Sequence, residues 1–198
     1  MRNVDTPHGP ARVTVHPAAD AVAVLLLGHG AGGGFGAPDL RTATAAALAA
    51  GVHVAQVEQP YRVAGRRAPA PAGQLDAAWL AVVAAVRAAL PGLPLVVGGR
   101  SSGARVACRT ASAVGAVAVL CLAFPVHPPG RPEKDRLGEL AEPTVPVLVV
   151  QGERDPFGRP PPAPGRQVVL VAGDHSLKAD LAGVAVAVTA WLPTILSL

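Results

Sequence analysis

The sequence predicts an α/β fold in which a mostly parallel β-sheet carries helices on both of its faces. Short apolar runs alternate along the chain with segments whose apolar residues recur three and four positions apart, and this alternation is typical of parallel sheets. Of the 198 residues, 51% are hydrophobic and only 15% are charged, which favours a well-buried globule over a disordered chain. A chain of this length fits one domain, and we predict a single domain over residues 1–198.

The elements are predicted in a regular strand–helix order. Predicted strands cover residues 12–16, 21–27, 52–57, 93–98, 114–122, 147–150 and 167–171. The first long helix is predicted to begin at Pro38, because proline suits the first helical position, and to end at Ala50 before Gly51. Further helices are predicted over residues 75–86, 104–109 and 181–193, with one short helical candidate near 133–140.

One glycine–serine turn carries the main chemical signal of the chain. Gly99-Arg100-Ser101-Ser102-Gly103 joins a predicted strand to a predicted helix, so G-x-S-x-G stands in the strand–turn–helix context of a nucleophile elbow. In so sharp a turn, side chains at the two outer glycines would collide with the adjoining strand and helix. This predicts that Ser101 is a nucleophile and that Ser102 contributes its backbone N–H. The alternative is a glycine-rich turn that only connects the two elements.

A serine nucleophile of this type needs a carboxylate and a histidine, in that order along the chain. Asp155 lies a few residues beyond the predicted strand 147–150, and Glu153 is the alternative carboxylate in the same loop. His175 follows the next predicted strand. Since the carboxyl ends of parallel strands meet at one edge of a sheet, we predict that Ser101, Asp155 and His175 converge as a catalytic triad.

A second glycine-rich turn, residues 28–36, follows the early apolar strand 21–27. A turn with a His-Gly pair in this place supplies backbone donors to an oxyanion. We therefore assign the oxyanion hole to the backbone N–H groups of Ala31 and Ser102. His29 either braces this turn or belongs to the substrate pocket.

The same turn also fits a different function. Residues 28–33 match G-x-G-x-x-G after a strand, as in a dinucleotide-binding turn, and Glu58 stands where a ribose-binding acid would follow the next strand. However, a helix should open at the third glycine, whereas the predicted helix begins only at Pro38. Dinucleotide binding also leaves the serine, aspartate and histidine unexplained, so we predict no cofactor.

The candidates for substrate contact are His29, Tyr61, Arg100 and His127, all near the predicted carboxyl edge. For His127, a structural bond within the neighbouring proline-rich loop is the alternative. The arginines near this edge either bind a substrate carboxylate or are ordinary surface residues; they are Arg66, Arg67, Arg100 and Arg105.

Motifs at residues 28–32, 59–61, 65–67, 98–105, 124–130, 151–152, 154–158 and 173–176 extend over most of the chain. Together they resemble the small α/β-hydrolases related to dienelactone hydrolases, a group similar to the KANSL and testis-expressed hydrolase-like proteins of animals. The resemblance implies the α/β-hydrolase fold and hydrolase activity. Larger relatives insert a helical cap after the strand that follows the elbow. Here residues 124–143 are proline-rich, so we predict the minimal form without a cap domain and an open, shallow site.

Charge and composition argue against several other functions. The net charge is +4, but the basic residues are scattered without a basic run, so nucleic acid is not an expected partner. The histidines and carboxylates show no metal-ligand spacing on one element, so no metal is predicted. The apolar runs fall short of the roughly 20 residues of a membrane helix, and no hydrophobic signal core is seen near the N-terminus. Cys108 and Cys121 are predicted to be buried thiols, which suits a cytoplasmic protein.

The sequence thus predicts a cytoplasmic serine hydrolase that cleaves small esters or lactones through an acyl-enzyme intermediate. The alternative is a catalytically idle hydrolase fold that serves as an interaction module. The sequence leaves the oligomeric state open.

Overall fold

The computed structural model describes residues 1–196 and is centred on one eight-stranded sheet. The strands are β1 (Arg2–Val4), β2 (Ala11–His16), β3 (Ala23–Gly28), β4 (Val52–Glu58), β5 (Leu95–Arg100), β6 (Ala118–Leu122), β7 (Val147–Gly152) and β8 (Arg166–Val171). Their order across the sheet is β1-β2-β4-β3-β5-β6-β7-β8. The pairings of β1 with β2 and of β2 with β4 are antiparallel, and the other strands pair in parallel. The predicted mostly parallel sheet is confirmed.

Helices cover both faces of this sheet. They are α1 (Pro38–Ala49), α2 (Pro60–Val63), α3 (Ala72–Ala89), α4 (Ser102–Thr110), α5 (Leu137–Ala141) and α6 (Leu181–Leu196). Side chains alternate along β3, because successive residues of a strand point to opposite faces. Leu25 and Leu27 belong to the hydrophobic core under α1 and α6, whereas Leu26 belongs to the core with Trp79 of α3 and Val106 of α4. The predicted helices on both faces are confirmed.

Three local features differ from the sequence predictions. No sequence pattern predicts β1, whose three residues are exposed or half-buried. Residues 114–117 precede β6 as a turn, with φ of +60° at Gly115, instead of extending the strand. The last helix continues through Pro193, since Leu192 and Ile195 on either side are buried, so the predicted end at this proline is wrong.

The connection between β6 and β7 holds only one short helix, the five-residue α5. Within residues 1–196, no helical layer lies over the carboxyl edge of the sheet. The predicted minimal form without a cap domain is therefore confirmed.

The helix α3 is long and apolar enough, by length and composition alone, to cross a membrane. Its apolar run is nevertheless interrupted by Gln74, Asp76 and Arg87, so the expectation that uninterrupted apolar runs are shorter than a membrane helix holds here. Its inner face packs Trp79, Val82 and Val86 into the hydrophobic core, and core helices of globular folds pass the same test.

Candidate active site

Ser101 lies in a strained turn between β5 and α4. Its backbone has φ of 52° and ψ of −109°, a conformation that residues other than glycine rarely adopt. A Cβ on Gly99 would lie 2.6 Å from the Gly28 carbonyl oxygen, and a Cβ on Gly103 would lie 2.5 Å from the same oxygen. The turn therefore packs directly on the end of β3, and only glycine fits at its two outer positions.

Three side chains from distant parts of the chain form a continuous hydrogen-bonded row. His175 Nε2 lies 2.9 Å from Ser101 Oγ, and His175 Nδ1 lies 2.8 Å from Asp155 Oδ2. Because a carboxylate only accepts hydrogen bonds, Nδ1 carries the proton and Nε2 accepts from the serine hydroxyl. The structure thus brings together the three residues of the predicted triad, which follow β5, β7 and β8. Glu153, the alternative carboxylate, is exposed.

The Asp155 carboxylate is buried and held by donors on both oxygens. Oδ2 also accepts from Gln151 Nε2 at 2.8 Å, and Oδ1 accepts from the backbone N–H of Phe157 at 2.8 Å. These donors fix the direction of the carboxylate toward His175. Gln151 is not among the residues predicted from the sequence, although a glutamine at the end of an apolar strand and four residues before the acid is a usable signal.

The His175 ring and backbone are held separately. The ring stacks on Phe157 with a centroid distance of 4.1 Å and an interplanar angle of 27°. The backbone carbonyl of His175 accepts from Arg100 Nη2 at 3.0 Å. Arg100 Nε in turn lies 2.9 Å from Oδ2 of the buried Asp39. These contacts tie Arg100 to the protein, and the same side chain also borders the surface cleft beside Ser101.

A surface cleft of about 350 Å³ contains the partly exposed Ser101 and His175. Its walls include Ala31 from the turn after β3, Ser102 from the start of α4, and Phe157 from the loop after β7.

Two of the expected substrate contacts instead brace the turn after β3. His29 is buried; its Nε2 accepts from the Gln59 N–H at 3.1 Å and its Nδ1–H donates to the Gly30 carbonyl at 2.8 Å. Burial lowers the pKa of His29, which keeps the ring neutral as this bonding pattern requires. The buried Tyr61 donates its hydroxyl hydrogen bond to the Ala31 carbonyl at 3.1 Å. Neither side chain lines the cleft.

The two backbone groups assigned to the oxyanion hole both border the cleft. Ser102 is the first residue of α4, where an N–H has no partner within the helix. In a planar trans peptide the Ala31 N–H points opposite to the Gly30 carbonyl. Since His29 binds that carbonyl from the buried side, the Ala31 N–H is directed away from His29.

Arg136, which is not among the residues predicted from the sequence, gives the cleft an excess of positive charge. Arg105 binds Glu139 through two bonds of 2.6 and 2.7 Å, and Arg109 pairs with both Asp76 and Glu139. Arg136 forms no ion pair among the described residues, and its guanidinium reaches only the Pro125 carbonyl at 3.4 Å. Burial and the charge of Arg105 lower the pKa of Arg136. Arginine nevertheless stays cationic in proteins, so the excess charge is on this residue.

The remaining candidates lie outside the cleft. His127 donates from Nδ1 to the Pro128 carbonyl at 2.9 Å, and its backbone N–H donates to the Phe157 carbonyl at 3.0 Å. It therefore joins the loop after β6 to the loop that carries the acid, which is the structural alternative and not the substrate contact. Arg66 and Arg67 are exposed and do not line the cleft.

Comparisons with known proteins agree with this architecture. A family model described as an alpha/beta hydrolase domain matches residues 21–183. An alpha-beta serine hydrolase homologue from Coxiella burnetii is similar in structure, with a TM-score of 0.77, 16% identity and 96% of each chain covered. So is an α/β serine hydrolase without a lid from Xanthomonas campestris, with a TM-score of 0.71, 23% identity, and 97% of this chain and 94% of that chain covered.

A dienelactone hydrolase from Anabaena variabilis has a TM-score of 0.74 and 16% identity, with 98% of this chain and 95% of that chain covered. At such identities the likeness shows the α/β-hydrolase fold. No curated protein matches the sequence.

Proposed function

This chain belongs to the alpha/beta hydrolase domain family, and on that premise we propose that it is a serine hydrolase of small carboxylic esters or lactones. The observation that carries the proposal is the hydrogen-bonded row from Asp155 through His175 to Ser101, which ends in an open cleft. An interaction module has no use for a serine held in a strained conformation against a histidine and a buried carboxylate.

In the first step, Ser101 Oγ attacks the carbonyl carbon while His175 Nε2 takes the hydroxyl proton. The two atoms lie 2.9 Å apart, within the range that a general base needs. Asp155 keeps the ring proton on Nδ1 and stabilises the imidazolium that forms. The C–O bond to the leaving group then breaks, His175 protonates the expelled alkoxide, and the acyl group stays on Ser101. In a lactone, the alkoxide remains attached to that acyl group.

The developing oxyanion accepts hydrogen bonds from the Ala31 and Ser102 N–H groups. Each donor of this kind is worth about 10²–10³ in kcat, because it is aimed before the charge develops. Water then attacks the acyl-enzyme with His175 as the base, and the carboxylic acid is released.

The cleft favours small substrates. Its volume is about 350 Å³, and no helical cap encloses a long acyl chain among the described residues. Short esters and lactones suit this space better than triglycerides. The narrower kinship with the KANSL and testis-expressed group is also proposed, on the motifs of the elbow and of the acid and histidine loops.

The experiment is an activity screen of the purified protein with short-chain esters, lactones and amides, run beside Ser101→Ala. Loss of the catalytic serine or of the histidine alone costs subtilisin about 10⁶ in kcat, and we expect Ser101→Ala to lose hydrolysis on this scale. Retention of most of the activity by Ser101→Ala would refute the serine mechanism. Absence of activity on the whole panel, together with no reaction of the wild type with a fluorophosphonate, would favour the idle module.

A further inference from the structure

The side chain of Arg100 joins three segments around the nucleophile. Nη2 donates to the His175 carbonyl at 3.0 Å, and Nε lies 2.9 Å from Asp39 Oδ2 in the first turn of α1. Nη1 lies 2.8 Å from the place that a Cβ on Gly30 would take, so glycine at that position leaves room for the guanidinium. One residue of the elbow thus contacts the histidine loop, α1 and the turn after β3.

The histidine loop needs such a contact because of where its strand lies. β8 is the edge strand and stands three places from β5 in the sheet, which corresponds to about 14 Å between the strand axes. The loop must fold back over β7 to bring His175 to Ser101. It passes so close to β7 that a Cβ on Gly152 would collide with the Asp174 carbonyl. The far end of the loop is anchored by Leu177, which is fully buried.

The carboxylate that pairs with Arg100 is unusually deeply buried. The side chain of Asp39 is fully buried, and that of Arg100 is 20% exposed. Burying two charges carries a large desolvation cost, and a well-packed apolar pair is often as stable or more so. The pair is therefore poor as a source of stability. It does restrict the orientation of the guanidinium, because Nε lies 2.9 Å from Asp39 Oδ2.

We infer that Arg100 is a positioning residue, whose guanidinium, fixed by Asp39, holds the backbone of His175 within reach of Ser101. The inference rests on the proposed function, because it concerns the approach of the base to the nucleophile. Nη2 of the guanidinium donates a hydrogen bond to the His175 carbonyl, while Nε lies within ion-pair distance of the Asp39 carboxylate. A lysine ammonium is a single point charge that cannot span both partners in the same way.

The test measures kcat and KM with a neutral short-chain ester and with an anionic ester of equal size, for the wild type, Arg100→Lys and the double variant Asp39→Asn/Arg100→Met. The double variant avoids leaving an unpaired buried carboxylate, which would threaten folding. A displacement of a catalytic group by about 1 Å can cost about 10²-fold in rate, so we expect kcat to fall about 10- to 100-fold in both variants with KM unchanged. Thermal melting of each variant checks that it is folded.

The matched control is Arg41→Met, which removes an exposed arginine two residues after Asp39 and should leave kcat unchanged. Wild-type kcat in both folded variants would overturn the inference. So would a rise in KM confined to an anionic ester of equal size, since this would make Arg100 a substrate-binding residue. Failure of the proposed function is a separate result, because it appears as activity in Ser101→Ala, or as a wild type that neither hydrolyses the panel nor reacts with a fluorophosphonate.

Discussion

Replacing Gly103 by alanine tests how closely the nucleophile turn packs on the end of β3. The new Cβ would lie 2.5 Å from the Gly28 carbonyl oxygen, 2.6 Å from the Gly28 carbonyl carbon and 2.9 Å from the His29 carbonyl oxygen. Ordinary contacts of a Cβ begin at 3.4 Å, so these backbone atoms must move by nearly 1 Å. No flexible side chain is available to yield, because all three neighbours are main chain.

The movement has two measurable consequences. Overpacking of this kind costs about 1–3 kcal/mol of the free energy of unfolding. For a chain of this size that lowers Tm by about 2–12 °C, taking about 2–4 °C per kcal/mol. The moved atoms lead directly into the turn that carries Ala31. A displacement near 1 Å there should also reduce kcat by about 10²-fold.

The assay is thermal unfolding together with kcat and KM on a short-chain ester. Gly73→Ala is the matched control, because a Cβ at Gly73, in the first turns of α3, would have no neighbour within 4 Å. It should keep full activity and gain up to about 1 kcal/mol in stability from helix propensity. A Gly103→Ala protein with wild-type Tm and kcat would refute the packing argument.

Two further predictions concern charge. Arg136→Met should lower kcat/KM for an anionic ester but not for a neutral ester of equal size, because it removes the unpaired positive charge of the cleft. The control is Arg131→Met, which removes an exposed arginine in the same segment between β6 and β7. Equal losses on both esters in Arg136→Met would contradict this reasoning. Stability should fall as the pH drops below about 6.5, the ordinary pKa of histidine, because the unfolded chain then binds a proton that buried His29 does not bind. Urea unfolding between pH 5 and 7.5 measures how steeply the free energy of unfolding depends on pH. His29→Gln should reduce this dependence, whereas His8→Gln, at an exposed site, should not. An identical pH dependence in the wild type and both variants would exclude His29 as the cause.

The order of elements and the triad positions were predictable because each has a local signature. The elbow needs glycine at 99 and 103 for steric reasons, and the acid and histidine follow strands whose apolar runs are easily recognised. Parallel pairing then brings Asp155 and His175 to the edge where Ser101 stands. These inferences need only spacing and sheet geometry.

The roles of the polar residues around the site could not be predicted from the sequence in the same way. His29, Tyr61 and Arg100 lie in the recognised motifs, but the partners that their side chains bind include residues far away in the sequence. Arg100 faces Asp39 and the His175 carbonyl, 61 and 75 residues distant, and no local pattern gives that pairing. Pro193 is a similar case, since burial on both sides keeps α6 intact past a residue that usually ends helices.

The most direct test of the serine mechanism is the intact mass of the protein after reaction with a fluorophosphonate. Peptide mapping of the wild type should give one phosphonyl adduct on Ser101, with a labelling rate that falls steeply in His175→Ala and no adduct in Ser101→Ala. An unlabelled wild type, or an adduct that persists on another residue in Ser101→Ala, would contradict the account.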